Sequence, residues 1–290
     1  MRQITVESHA KINLTLDVVG RRDDGYHDII SVMQSIGLAD RIRIRKNQRG
    51  PIFRVTNAHL PTDRRNLAFQ AMEAICNFAG IQPQFEIILE KRIPVSAGLA
   101  GGSTNAAGVL KGINQLSELN VPAADLHQIA VALGSDVPFC MEGGTALAEG
   151  RGEILTPLKS MPDGYLVLFK PIFSVSTAQI YHQLVLKEVE SRPDTSRVLE
   201  GIHTGNLKLV ADGMGNVLEE VTFKMHPHLR EYKSMLERTG CLCAMMSGSG
   251  PTLVAVTDTK MQADLLFQKA VTFPGSAFET VFFHCGQEIY

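Results

Sequence analysis

Pro94-Val95-Ser96-Ala97-Gly98-Leu99-Ala100-Gly101-Gly102-Ser103-Thr104-Asn105-Ala106-Ala107-Gly108 is the stretch on which the reading of this chain turns. Ahead of it Phe85, Ile87 and Leu89 recur at every second position, as in a strand. After it Ala106, Leu110 and Ile113 recur at helical spacing. Glycines at 98, 101 and 102 remove the side chains that would keep a ligand from the backbone N–H groups. The helix start adds unpaired N–H donors and the positive end of the macrodipole. Together these make an anion cradle. Local physics leaves one other reading open, a flexible loop ahead of a capped helix.

What is missing restricts the kind of cradle. No Gly-Lys-Ser/Thr occurs, so the P-loop lysine is absent. No GxGxxG occurs, which removes the dinucleotide fingerprint and the protein-kinase glycine loop. GxSxG is absent as well. If the loop serves phosphoryl transfer, the lysine and the acid come from elsewhere in the chain. A second glycine element, Ser247-Gly248-Ser249-Gly250-Pro251, lies between two apolar runs and by itself reads equally well as a turn.

The chain has 290 residues, which favours two domains or one large α+β unit. Its formal net charge of −2 provides no global basic field for nucleic acid. Arg41, Arg43, Arg45 and Lys46 alternate with Ile42 and Ile44 without aromatic residues, as on the wet face of a strand. Cysteines 76, 140, 241, 243 and 285 form no CxxC pair and read as small buried thiols in a reducing cytoplasm. His226-Pro227-His228 lacks further ligands at useful spacing and reads as a helix entry. The N-terminal segment has no apolar signal core, and no stretch has membrane-spanning length.

Along the chain, Ile12, Leu14, Leu16 and Val18 alternate with Lys11, Asn13, Thr15 and Asp17, which predicts a strand with one apolar and one polar face. Asn66 caps a helix that Gly80 stops, and a short helix over 123–133 ends at Gly134. Strands flank the turn at 149–153, and a buried strand covers 165–170. Helices are expected near 177–184, 229–237 and 261–270, and strands near 242–246, 253–257 and 279–283. Residues 187–206, with Pro193-Asp194-Thr195-Ser196, read as a loose stretch. Lys11 alone reads as an exposed strand lysine, and Asp136 alone as a residue at a helix exit.

Four segments in this order resemble the GHMP kinase superfamily: AKINLTLDV at 10–18, PVSAGLAGGSTNAA at 94–107, GSDVPFC at 134–140 and MMSGSGPTLVAV at 245–256. The resemblance implies an α+β, two-domain fold. Its N-terminal half, 1–160, is like ribosomal protein S5 domain 2, and its C-terminal half, 161–290, is a ferredoxin-like α/β sandwich. The last strand either stays in the second half or returns to the first. GRRDDGYH at 20–27 with SVMQSIGLAD at 31–40 resembles one branch in particular. That branch uses ATP to phosphorylate the 2-hydroxyl of a cytidine diphosphate-linked methylerythritol, in the non-mevalonate route to isoprenoid precursors.

Carried over position by position, the resemblance makes Lys11 and Asp136 the catalytic pair. Pro94, Val95, Ser96, Ala97, Gly98, Leu99, Ala100, Gly101, Gly102, Ser103 and Thr104 become the ATP loop. Tyr26, His27 and Tyr181 face the cytosine, and Asn13 lies beside the acceptor hydroxyl. Mg²⁺ arrives with ATP rather than on a tight protein site. The expected partners are these two small molecules, with neither nucleic acid nor membrane, for a cytoplasmic monomer or homodimer. Other readings are a homoserine- or mevalonate-type kinase, or a catalytically weak nucleotide-binding regulator of the same fold. The chain departs from the family at Ala100 and Thr104, where GLGGGSS is usual, and at Val217, where an acid is common.

Overall fold

In the computed structural model, residues 2–57, 59–271 and 278–285 are described. The chain opens with strands β1 (Gln3–Asn13), β2 (Thr15–Arg21), β3 (His27–Lys46) and β4 (Ile52–Val55). Helix α1 (Leu67–Phe78) and strand β5 (Phe85–Glu90) lead to the glycine loop. Helices α2 (Gly101–Leu116), α3 (Ala123–Leu133) and α4 (Val137–Glu142) follow it. Next come β6 (Thr145–Glu149), β7 (Ile154–Pro157), β8 (Gly164–Pro171), α5 (Thr177–Gln183), α6 (Thr195–Thr204), α7 (Leu207–Gly213) and β9 (Gly215–Asn216). The remaining elements are α8 (Leu218–Met225), α9 (His228–Arg238), β10 (Cys243–Met246), β11 (Leu253–Thr257), α10 (Lys260–Val271) and β12 (Phe278–Cys285). The class is α+β, as the sequence predicts.

Two compact units form. The first comprises the described residues of Met1–Ala10, Leu38–Ile93 and Ala100–Gly143. Within it the end of β3 pairs antiparallel with β5, and β4 pairs parallel with β5. Its core gathers Ile42, Ile44, Ile87 and Leu89 from the strands with Met72, Ile75, Val109, Leu110 and Ile113 from the helices. The Asn66 carboxamide caps α1 by accepting from the Ala68 N–H at 3.0 Å. Arg41, Arg43 and Arg45 each pair with a carboxylate, of Glu7, Glu90 and Glu86 respectively, so the basic run is neutralised along its strand.

Helix α2 lies close to the strands because two glycines, one turn apart, face them. A Cβ on Gly108 would overlap Ser8 Oγ and come within 2.9 Å of Ile42 Cδ1. One on Gly112 would fall 2.5 Å from Ile44 Cδ1. That proximity fixes where the start of α2 stands.

The second unit comprises Lys11–Gly37, Pro94–Leu99 and the described residues of Gly144–Tyr290. In it the first part of β3 pairs antiparallel with β2 and with β6, while β2 pairs parallel with the short β9. A separate four-stranded antiparallel sheet has the order β10-β11-β8-β12, with α9 and α10 packed on it. This is the α/β sandwich expected of the C-terminal half.

Three sequence expectations change. The strand expected around 41–45 is part of a 20-residue strand that begins at His27. The stretch 187–206 is not loose throughout, because Asp194 caps α6 by accepting from the Arg197 N–H at 3.0 Å. Lys11 is not exposed: it retains 5% of its accessible surface, since both faces of the strand are covered. Cys76 is buried as expected, whereas Cys140, Cys241 and Cys243 are only half-buried; the Cys285 side chain lies outside the described residues. Burial pushes the Cys76 thiol up to about 11.

Gly108→Ala is expected to destabilise the protein by about 1–3 kcal/mol through overpacking against Ser8 and Ile42. Urea denaturation measures it, and an unchanged midpoint would show that the helix can shift without cost.

Candidate functional site

In the second unit, polar groups of β1, β2 and β3 form a buried chain. Lys11 Nζ donates to Asn13 Oδ1 at 3.0 Å, Asn13 Nδ2 donates to Ser31 Oγ at 2.8 Å, and Ser31 Oγ donates to the Thr15 carbonyl at 2.5 Å. Such a chain holds the Lys11 ammonium at a defined point and keeps its neighbours' hydrogen bonding complete. The Lys11 N–H also donates to the Leu99 carbonyl at 3.3 Å, which brings the glycine loop to this strand.

The two glycine elements meet here. Ser247 Oγ donates to the Gly98 carbonyl at 3.0 Å. Gly98 has φ +73°, and a Cβ on it would overlap the Ser247 carbonyl oxygen. Gly248, at φ +57°, leaves room for the Gly98 carbonyl and faces Asn13 Oδ1. Only glycine permits both the dihedral and the approach. The element at 247–251 is therefore more than a turn between strands.

A frame of side chains holds that second element. Asn216 Nδ2 donates to the Met246 and Gly248 carbonyls, both at 2.7 Å, and Asn216 Oδ1 accepts from the Leu218 N–H at 2.9 Å. Glu219 accepts from the Met246 N–H and from Lys233 Nζ, also at 2.7 Å each. Burial raises the Glu219 pKa, and the Lys233 charge opposes that rise. Val217 is fully buried, so the departure from an acid at this position puts an apolar side chain where solvent does not reach.

In the first unit, the start of α2 has the makings of an anion site. Ala100 occupies the N-cap position with left-handed dihedrals (φ 54°, ψ 29°), no side chain caps the helix, and its first turn holds no acidic residue. The leading N–H groups thus keep their attraction for a negative charge. A Cβ on Gly102 would meet nothing within 4 Å, so the helix start is open there. The left-handed alanine costs about 1–2 kcal/mol relative to an ordinary conformation. Thr104 directs its hydroxyl to the His9 carbonyl at 2.6 Å. Asp136 stands half-buried at the N-cap position of α4, and its carboxylate caps none of that helix's N–H groups.

A third cluster, again in the second unit, is aromatic. The His27 and Tyr181 rings lie 5.3 Å apart at 38°. Burial, with the Arg21 charge, lowers the His27 pKa below the ordinary imidazole value. Tyr26 is half exposed, its N–H donates to Asp24 Oδ1 at 3.0 Å, and the Arg151 guanidinium lies 5.0 Å from its ring centroid. An imidazole beside a phenol ring suits a flat heteroaromatic ligand. Arg151, Ser247, Asn216 and Glu219 were not singled out for this site by sequence; the Gly-rich run at 247–251 was the one signal pointing towards them.

Among the described residues, no group of three or more His, Cys, Asp or Glu side chains could hold a metal ion. None of their helices is long and apolar enough to cross a membrane.

Residues 66–144 match the model of the GHMP kinases N terminal domain, and residues 198–274 that of the GHMP kinases C terminal domain. The chain is 46% identical over 257 residues to the 4-diphosphocytidyl-2-C-methyl-D-erythritol kinase of Alkaliphilus metalliredigens, covering 88% of each protein. It is 43% identical over 291 residues to the kinase of the same name from Alkaliphilus oremlandii, covering 100% of each. A crystal structure of 4-(cytidine 5'-diphospho)-2C-methyl-D-erythritol kinase superposes with a TM-score of 0.82 at 30% identity, covering 98% of this chain and 100% of that one.

Gly98→Ala is expected to cost more than about 2 kcal/mol, because overlap with backbone adds to a left-handed dihedral. Gly102→Ala, in open space, is expected to be neutral or stabilising by up to about 1 kcal/mol. Thermal denaturation of the two variants checks the contrast; equal midpoints would remove the close-approach argument.

Proposed function

This chain belongs to the GHMP kinases, and we propose that it transfers the γ-phosphoryl group of ATP to the 2-hydroxyl of 4-diphosphocytidyl-2-C-methyl-D-erythritol. The observation that carries this reading is the likeness along the whole chain to kinases of that name. The His27–Tyr181 pair supports it independently, since homoserine and mevalonate have no base to recognise. The reading makes the protein a cytoplasmic enzyme of isoprenoid precursor synthesis.

In this proposal the backbone of Pro94–Thr104 receives the β- and γ-phosphates. The open, uncapped start of α2 and the glycine at 98 suit that task. Mg²⁺, which travels with the nucleotide, supplies charge neutralisation on the same phosphates. Asp136 accepts the proton of the 2-hydroxyl, whose oxygen forms a bond to the γ-phosphorus as the bond to the β,γ-bridging oxygen breaks and ADP leaves. Lys11 keeps that carboxylate ionised and balances charge growing on the transferred group. Asn13, fixed by Lys11 and Ser31, orients the acceptor hydroxyl. Tyr26 and Tyr181 offer ring faces to the cytosine, and neutral His27 reads its hydrogen-bonding edge.

Purified protein with Mg-ATP is expected to release ADP with the cytidylyl acceptor and not with homoserine or mevalonate. Release with either of the latter would replace the substrate assignment. Asp136→Asn is expected to lower kcat by a factor of about 10²–10⁴ with ATP affinity preserved. Near-normal turnover in a folded variant would take the base role from Asp136.

The His27 shift gives a pH test. Because its folded pKa is lowered, the imidazole is less protonated at any given pH than an ordinary histidine. As pH falls, the KM for the cytidylyl acceptor is therefore expected to rise at a pH below the ordinary imidazole value of about 6.5. In His27→Ala it is higher throughout and loses that rise; a rise centred at or above 6.5 in the unaltered protein contradicts the neutral-imidazole role.

A further inference from the structure

Beneath the start of α2 lies a buried charged cluster to which the mechanism assigns nothing. Asp40 has no accessible surface and closes the SVMQSIGLAD segment. One carboxylate oxygen, Oδ1, accepts from the backbone N–H groups of Arg92 at 2.6 Å and Ile93 at 2.9 Å. The other, Oδ2, accepts from Asn105 Nδ2 at 2.7 Å and from the Lys91 ammonium. Lys91 Nζ also donates to Asn105 Oδ1 at 3.3 Å. All of these groups belong to the first unit.

Their positions along the chain give the cluster a purpose. Arg92 and Ile93 are the last two residues before Pro94, and Asn105 lies in the second turn of the helix that begins at Gly101. One carboxylate thus ties both covalent ends of the glycine loop. A Cβ on Gly101 would approach Ile93 Cγ2 at 3.1 Å and Lys91 Nζ at 3.2 Å, so the helix start rests directly on this cluster. A buried ion pair is a poor source of stability compared with apolar packing, but it defines geometry, because each hydrogen-bonding position has one partner.

Resting on the reading of Pro94–Thr104 as the ATP loop, we propose that Asp40 is a positioning residue that holds this loop in its nucleotide-binding shape. It acts through the N–H groups of Arg92 and Ile93 and through Asn105, and touches neither substrate. Its loss is felt in ATP binding and not in recognition of the acceptor.

The test uses Asp40→Asn, which keeps an acceptor for Arg92 and Ile93 but turns a donor towards Lys91 and Asn105. Asn105→Ala is the milder variant, removing only the helix-side bonds. Two readouts are taken on the full chain: backbone hydrogen exchange of Val95–Thr104 without nucleotide, and separate KM values for ATP and the cytidylyl acceptor. Exchange in the loop is expected to accelerate about tenfold or more in Asp40→Asn, with the ATP KM rising about tenfold and the acceptor KM within about twofold of normal; Asn105→Ala shows the same pattern more weakly. Unchanged exchange overturns the proposal, and so does faster exchange with an unchanged ATP KM or an equal rise in both KM values. Should Asp40→Asn fail to fold, Asn105→Ala is judged by the same criteria. The exchange readout needs no turnover, so a failed kinase assignment is seen in the unaltered protein's ADP release and is distinguished from a failed clamp.

Discussion

The close approach of two backbone segments at Gly98 and Ser247 is the constraint on which the second unit's site depends. There is no space for a Cβ between them, and a serine hydroxyl joins them through the Gly98 carbonyl. Everything around this point serves to keep it in place. Asn216 and Glu219 hold the far segment by its peptide groups, and the N–H of Lys11 holds the near one through Leu99. Side chains are thus used to position backbone, which leaves backbone free to meet a ligand. That division suits a phosphate group, whose oxygens are well matched by several weak, fixed dipoles.

The polar interior follows the same logic. Lys11, Asn13, Ser31 and Thr15 are all buried, and they are satisfied in series. An apolar strand would pack at lower cost, since a buried polar group is expensive unless fully bonded. The first unit repeats the pattern with Asp40, Lys91 and Asn105. In both places the fold accepts desolvation of charge in return for an unambiguous arrangement of a few atoms.

Much of this was legible in sequence where the signal was local. The α3 bounds at 123 and 133 and the Asn66 cap follow from periodicity and capping chemistry, and the structure agrees with both. The GHMP segments gave the fold because their order spans the chain. What was missed was non-local or weakly patterned. Gly98 and Ser247 lie 149 positions apart, so no window joins them. Alternation marked Lys11 as facing water, because polar residues at every second position look alike whether solvent or protein covers them. Helices α6 and α7 follow a Pro-Asp-Thr-Ser segment that reads as loop, although Asp194 and Asn206 are their caps. Asp40 closes the 31–40 motif, but a lone acid in a strand gives no hint that it bonds to residues 92, 93 and 105.

Arg151 carries a consequence of its own. Its guanidinium covers one side of the Tyr26 ring, so in the proposed reading the base meets the opposite side. Contact there is single-sided, half of what an enclosing aromatic slot would give, and the cation behind the ring drains electron density from it. Such a surface favours guests with a polarised, electron-bearing ring over neutral hydrocarbon discs of equal area. On the proposed reading, a flat inhibitor gains little by extending its stacking area at this position and gains selectivity from a heteroatom edge towards His27.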